Sequence, residues 1–177
     1  MKKVLSICCV LIALFVMLCV FLSVTQEENP ESAYQTSAIV SQEPTEAGVY
    51  LALNEIRKEN DLLRYDRNPA LDKAADYRCN DMVKYDYFGH DNPKTKKRGV
   101  DTVYEIVYEE TNYSRTIITS ENLIKGYADT SEAFARDWLN SEDHKAALLD
   151  PQFTDVGIAV CKDDQQFIVV HTMANFK

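Results

Sequence analysis

Apolar side chains keep a helical spacing through most of this chain and change to continuous strand-like runs only near its C-terminus. Val156-Gly157-Ile158-Ala159-Val160 and Phe167-Ile168-Val169-Val170 are two such runs, and the polar Lys162-Asp163-Asp164-Gln165-Gln166 between them predicts a hairpin. Upstream, Val49, Leu53 and Ile56 fall at i, i+4 and i+7 and predict a helix from Glu46 to about Asn60. Asn68 and Pro69 open a second helix, with Pro in the first turn, where a missing N–H costs nothing. Leu71, Ala75, Cys79 and Met82 line one face of it to about Lys84. Val100, Val103 and Val107 mark a short third helix, and Arg115 to Ser120 reads as extended. Thr130 caps a fourth helix carrying Phe134 and Trp138, and Ser141 caps a last short one. Helices first and a hairpin last predict an α+β domain in which helices cover an antiparallel sheet.

Two further segments precede this domain. Lys2 and Lys3 are followed by an apolar run, Val4 to Val24, broken only by Ser6 and Ser23. As a helix it would reach about 31 Å, enough for a bilayer core of about 30 Å. A secretory signal usually has a shorter core and a small-x-small cleavage site. Residues 1–24 therefore read as an uncleaved signal anchor, with a cleaved signal peptide as the alternative. Either one places the remaining residues outside the cell: a single-pass membrane protein with the domain extracellular, or a secreted one. Residues 25–46 are rich in Gln, Glu, Ser, Thr and Pro and read as a disordered stalk, which leaves 47–177 as the globular domain. The first 46 residues carry two Lys and five Glu, so −6 of the net charge of −9 falls on the domain. That balance makes nucleic acid and anionic headgroups poor partners.

The domain holds two cysteines, Cys79 and Cys161. In an oxidising compartment they can bridge; as an alternative they are two small buried thiols, one on an apolar helix face and one in an apolar strand. Asp163-Asp164 reads as a hairpin turn rather than a calcium loop. His171, in the last strand, reads as structural.

The chemistry-bearing residues are His90, after Phe88-Gly89; Glu121, in Glu121-Asn122-Leu123; and His144, in Ser141-x-x-His144 after Trp138. Two imidazoles and a carboxylate from three separate segments can hold zinc with one coordination position left for water. Spacing alone is equally compatible with a turn histidine, a surface acid and a helix histidine. Ser141 and His144 lack the strained elbow and the orienting acid of a serine nucleophile, and a capping role accounts for Ser141. Seven tyrosines between Tyr77 and Tyr127 could line a cleft or serve as half-buried packing.

The ordered series Asn68-Pro69-Ala70-Leu71, Phe88-Gly89-His90-Asp91-Asn92-Pro93, Glu121-Asn122-Leu123, Trp138 to His144 and Phe153-Thr154-Asp155-Val156-Gly157-Ile158 resembles the CAP superfamily, or SCP domain, in its short bacterial form. The resemblance spans residues 47–177. It implies a three-layer α-β-α sandwich with a small antiparallel sheet. It also implies a cleft in which His90, Glu121 and His144 stand for the family's two histidines and one of its two acids. The second acid often lies three residues after the tryptophan, where this chain has Ser141. The implied function is an extracellular, membrane-tethered binding module. Its cleft would hold a divalent metal, zinc first, or a small ligand, and its partner would be a lipid, a cell-wall component or a protein. A metal-dependent hydrolase, such as a peptidase, and a structural cell-envelope protein are the alternatives.

Overall fold

The computed structural model describes residues 43–112, 117–127 and 130–176. In chain order the elements are α1 (Glu46–Glu59), β1 (Asp66–Arg67), α2 (Pro69–Tyr85), α3 (Gly99–Thr111), β2 (Thr119–Gly126), α4 (Ser131–Asp137), a 3₁₀ turn (Trp138–Asn140), α5 (Glu142–Leu148), β3 (Asp155–Asp163) and β4 (Gln166–Ala174).

Local chemistry sets most of the boundaries. Thr45, Asn68 and Thr130 each turn a side-chain oxygen onto a free N–H of the following first turn, at Gly48, Ala70 and Ala133. Ser141 stands at the N-cap of α5, but its hydroxyl makes no capping bond. α2 stops at Asp86, which adopts φ 52°, the left-handed conformation that ends a helix and that Asp tolerates. At the hairpin tip Asp164 takes φ 55° and is a turn residue, as expected, whereas Asp163 ends β3 and pairs with Gln166.

The sheet has the order β1-β3-β4-β2. β4 runs antiparallel to both β3 and β2, whereas β1 pairs parallel with β3, Asp66 facing Asp155 and Arg67 facing Val156. The sheet is thus mixed, not purely antiparallel. β1 is a two-residue strand between α1 and the α2 cap, tied by Asp66 N–H to Thr154 O and Asn68 N–H to Val156 O. A strand of that length leaves no alternation in the sequence.

Alternation along β3 and β4 divides the core between the two faces. Val156, Ile158, Val169 and Met173 point to one side, among Val49, Leu53 and Ile56 of α1, with Phe134, Trp138 and Leu148. Ala159, Ile168 and Val170 point to the other, against Ala75, Cys79 and Met82 of α2. α3 closes that outer layer with Val103 and Val107 against Ala70, Leu71 and Ala74. The three layers expected from the resemblance are therefore present. Gly157 is where α2 comes nearest the sheet: a Cβ there would lie 2.0 Å from the Leu71 carbonyl carbon.

Cys79 and Cys161 form a disulfide, which ties α2 to β3 and decides between the two readings of the cysteines. Arg57, buried on α1, donates to the carbonyls of Leu63, Leu148, Asp150 and Phe153, and so joins α1 to the segment between α5 and β3.

The segment 4–24, on which the single-pass membrane expectation rests, and most of the 25–46 stalk lie outside the described residues. Among the described residues no helix is long and apolar enough to cross a membrane. The transmembrane helix, the membrane partner and the single-pass topology are accordingly withdrawn.

Candidate functional site

β2 sends Glu121 and Leu123 to the α2 side of the sheet and Asn122 to the opposite side. The Glu121 side chain is wholly buried, and what meets it is Arg78, which shares the buried face of α2 with Ala74, Ala75, Cys79 and Met82. Arg78 Nε–H donates to Glu121 Oε2 at 2.7 Å and Nη2–H to Oε1 at 3.2 Å. Nη2 also donates to the carbonyls of Gly89 and His90, each at 2.9 Å, and Nη1 to the Tyr87 hydroxyl at 2.8 Å. Removing two charges from water is costly, and such a pair survives only when the remaining donors and acceptors are also satisfied. Here they are satisfied by the turn that carries His90.

The rest of the turn is held equally firmly. Tyr87 O–H donates to Asp81 Oδ2 at 2.5 Å, and Asn92 Nδ2 donates to the same oxygen at 2.9 Å. Burial and the bond to Asp81 push the Tyr87 hydroxyl up to about 12, so it stays protonated and keeps donating. Gly99 N–H donates to His90 O at 2.6 Å. A Cβ on Gly99 would stand 2.5 Å from that oxygen and 2.6 Å from Glu121 Oε1, so only glycine permits this approach.

His90 Nδ1 lies 3.1 Å from Glu121 Oε1. An ionised carboxylate only accepts, so Nδ1 carries the proton, and Nε2 is the ring nitrogen turned away from Glu121. The hydrogen bond to Glu121 raises the His90 pKa above its ordinary value, against the opposing effect of burial. The His144 ring, on α5, lies 6.4 Å from that of His90 with the planes tilted by 53°. Its backbone carbonyl accepts from Asn122 Nδ2 at 3.1 Å, which couples α5 to β2. Burial, and then the neighbouring His90, lower its pKa.

The structure thus brings together the three residues singled out by sequence, but in unequal roles. His90, with its side chain about half exposed (52%), and His144 form an accessible imidazole pair, while Glu121 is committed inward. Both its oxygens accept from Arg78, and Oε1 also accepts from His90. A cation brought to that carboxylate would face a guanidinium. The expected metal group of His90, Glu121 and His144 is thus found with its carboxylate already engaged, and among the described residues no cluster of three or more His, Cys, Asp or Glu is placed to hold a metal ion. The parts played by Arg78 and Gly99 are not legible in the sequence, which shows Asp81, Tyr87 and Asn92 only as members of a motif or of a set of tyrosines. Arg78 left one signal, a charged residue inside the apolar stripe of α2.

His171 is fully buried, its ring edge-on to Tyr65 (5.6 Å) and near Trp138 (5.4 Å). Neither ring nitrogen has a hydrogen-bond partner among the described residues. It is structural, as expected.

With this geometry in place, residues 50–174 match the CAP, or cysteine-rich secretory protein, family, and the chain belongs to it. It is 30% identical over 139 residues to the protein YkwD of Bacillus subtilis, a match covering 75% of this chain and 50% of YkwD. The chain therefore spans about half the length of that relative. Among solved structures it is similar to an outer surface protein of Borrelia burgdorferi (TM-score 0.61, 21% identity, 73% of this chain and 90% of that one). It is also similar to an extracellular SCP-domain protein of Bacillus anthracis (TM-score 0.58, 20% identity, 86% of this chain and 44% of that one). At these identities the structural likeness speaks for the fold.

Proposed function

We propose that the protein is an extracellular binding module whose ligand-contacting face is the cleft between His90 and His144. One observation carries the reading: Glu121 is engaged by Arg78 and His90, so of these three residues the two imidazoles are the ones left to meet a ligand. Such a face can donate and accept hydrogen bonds to a polar ligand. The Cys79–Cys161 disulfide supports placement in an oxidising compartment, as do the descriptions of the relatives as outer surface and extracellular proteins. The ligand class in best accord with this placement is a polar component of the cell wall.

Ring resonances of His90 and His144, followed by NMR while soluble muropeptides are added to the full chain, test the proposal. Saturable shifts of both rings, with binding lost in the His90→Ala/His144→Ala variant and the muropeptides recovered intact by mass spectrometry, are expected. Unmoved rings, or cleavage of the added fragments that the double variant abolishes, would overturn it.

A further inference from the structure

The net charge of the domain conceals a run of four basic residues in five, Lys94-Thr95-Lys96-Lys97-Arg98, on the turn that leaves His90. This turn is organised from below. The side chain of buried Asn92 accepts from the N–H groups of Lys94 (2.8 Å) and Thr95 (3.0 Å), and its amide donates to Asp81. Asn92 N–H donates to Lys97 O at 3.0 Å, Lys96 N–H donates to Asn92 O at 2.8 Å, and Asp91 bridges to Arg98. The basic side chains are thus displayed by a frame that is already in place, which lowers the ordering cost of binding.

Two of the four cations are neutralised locally, Lys97 by Glu105 and Arg98 by Asp101. Among the described residues Lys94 and Lys96 form no ion pair, nor does Lys84 at the end of α2, and all three are exposed. Lys84 and Lys94 converge on one aromatic ring, with their ammonium nitrogens 5.0 and 5.5 Å from the centre of Tyr85. In an acidic domain, three such ammoniums from a helix end and a loop make a local positive field beside the cleft. A single captured anion would need enclosed, desolvated donors. Exposed point charges spread over two segments instead match anions repeated along a flexible chain, as lysine does for phosphate.

We propose that Lys84 and Lys94, which meet over Tyr85, and Lys96, on the same Asn92-pinned turn as Lys94, bind a phosphodiester polymer of the cell surface. This surface is separate from the His90–His144 pair and stands whether or not that pair contacts a ligand. Binding releases counterions, so it weakens as salt rises.

The test measures binding of poly(glycerol phosphate) to the full chain, kept in an uncharged detergent because of its apolar 4–24 run. Wild type is compared with Lys84→Gln/Lys94→Gln/Lys96→Gln and with the corresponding triple arginine variant. The expected result at about 50 mM salt is a loss of about tenfold or more for the glutamine variant, near-wild-type affinity for the arginine variant, and a shallower salt dependence for the former. The single Lys94→Gln change serves if the triple variant alters the near-UV circular dichroism. No binding by wild type, or equal binding by the glutamine variants, would overturn the proposal. Tighter, lysine-dependent binding to micelles doped with an anionic phospholipid would overturn the polymer as partner.

Discussion

Arg78 and Glu121, 43 residues apart in sequence, meet in the interior as a two-pronged ion pair that also fixes the carbonyl of His90. The pair supports the fold and holds the turn of His90 at once. Replacing Arg78 with Met leaves the Glu121 carboxylate buried without its counter-charge. The expected loss is about 3–5 kcal/mol in urea unfolding. The double change Arg78→Met/Glu121→Leu should recover much of it, because the uncompensated charge is gone while the volume is kept. A double variant no more stable than Arg78→Met would show that the pair contributes by its geometry rather than by its charge balance.

Gly99→Ala probes the same network from the backbone side. Its methyl group would press on His90 O, Glu121 Oε1 and Arg78 Nη2 together. Overpacking of this kind costs about 1–3 kcal/mol. The change should also move the His90 ring resonances, whereas Gly89→Ala, with nothing within 4 Å of its new Cβ, should leave the cleft as it is.

The disulfide gives a third expectation. Cys79 adjoins Arg78, and Cys161 lies 82 residues further along the chain. Closing a loop of that length stabilises the fold by about 4–5 kcal/mol on the chain-entropy estimate. Urea midpoints under oxidising and reducing conditions should differ accordingly, and Cys79→Ala/Cys161→Ala should abolish the difference. Five free thiols, rather than three, in the denatured, unreduced full chain would disprove the bridge.

His171 predicts how the fold responds to acid. Burial first, and then the nearby Arg57, lower its pKa to about 3 from the ordinary 6.5. The folded state keeps the ring neutral where the unfolded chain takes up a proton. Stability is therefore full above pH 6.5 and falls as pH drops, by about 1.4 kcal/mol per pH unit from this group alone, levelling off near pH 3. In His171→Phe this component should vanish, and two polar nitrogens without partners vanish with it. An unchanged acid limb in the variant would assign the sensitivity to other groups.

What the sequence reveals here depends on range. The caps at Asn68 and Thr130, the stripe of α2 and the β3–β4 hairpin are legible because each is decided within a few residues. β1 is not, since a two-residue parallel strand has no period to detect. That His90, Glu121 and His144 lie near one another is in keeping with their motif order, but the division of labour among them is not legible there. That division turns on Arg78, whose partner lies 43 residues away. The metal expectation takes Glu121 as free, whereas the structure engages it with Arg78 and His90. The basic turn at Lys94–Arg98 was legible but hidden by summing charge over the whole domain.

The most direct test of the Arg78–Glu121–His90 arrangement is an NMR titration of the histidine rings in the full chain, wild type and Glu121→Gln. His90 should be protonated on Nδ1 when neutral, with a pKa above 6.5, and His144 should titrate below that value. Because the His90 pKa is raised, its bond to Glu121 contributes to stability below pH 6.5 and is lost as pH rises through the folded-state value. Glu121→Gln should lower the His90 pKa and leave that of His144 largely in place. Equal pKa values for the two rings, or a neutral His90 carrying its proton on Nε2, would contradict the arrangement.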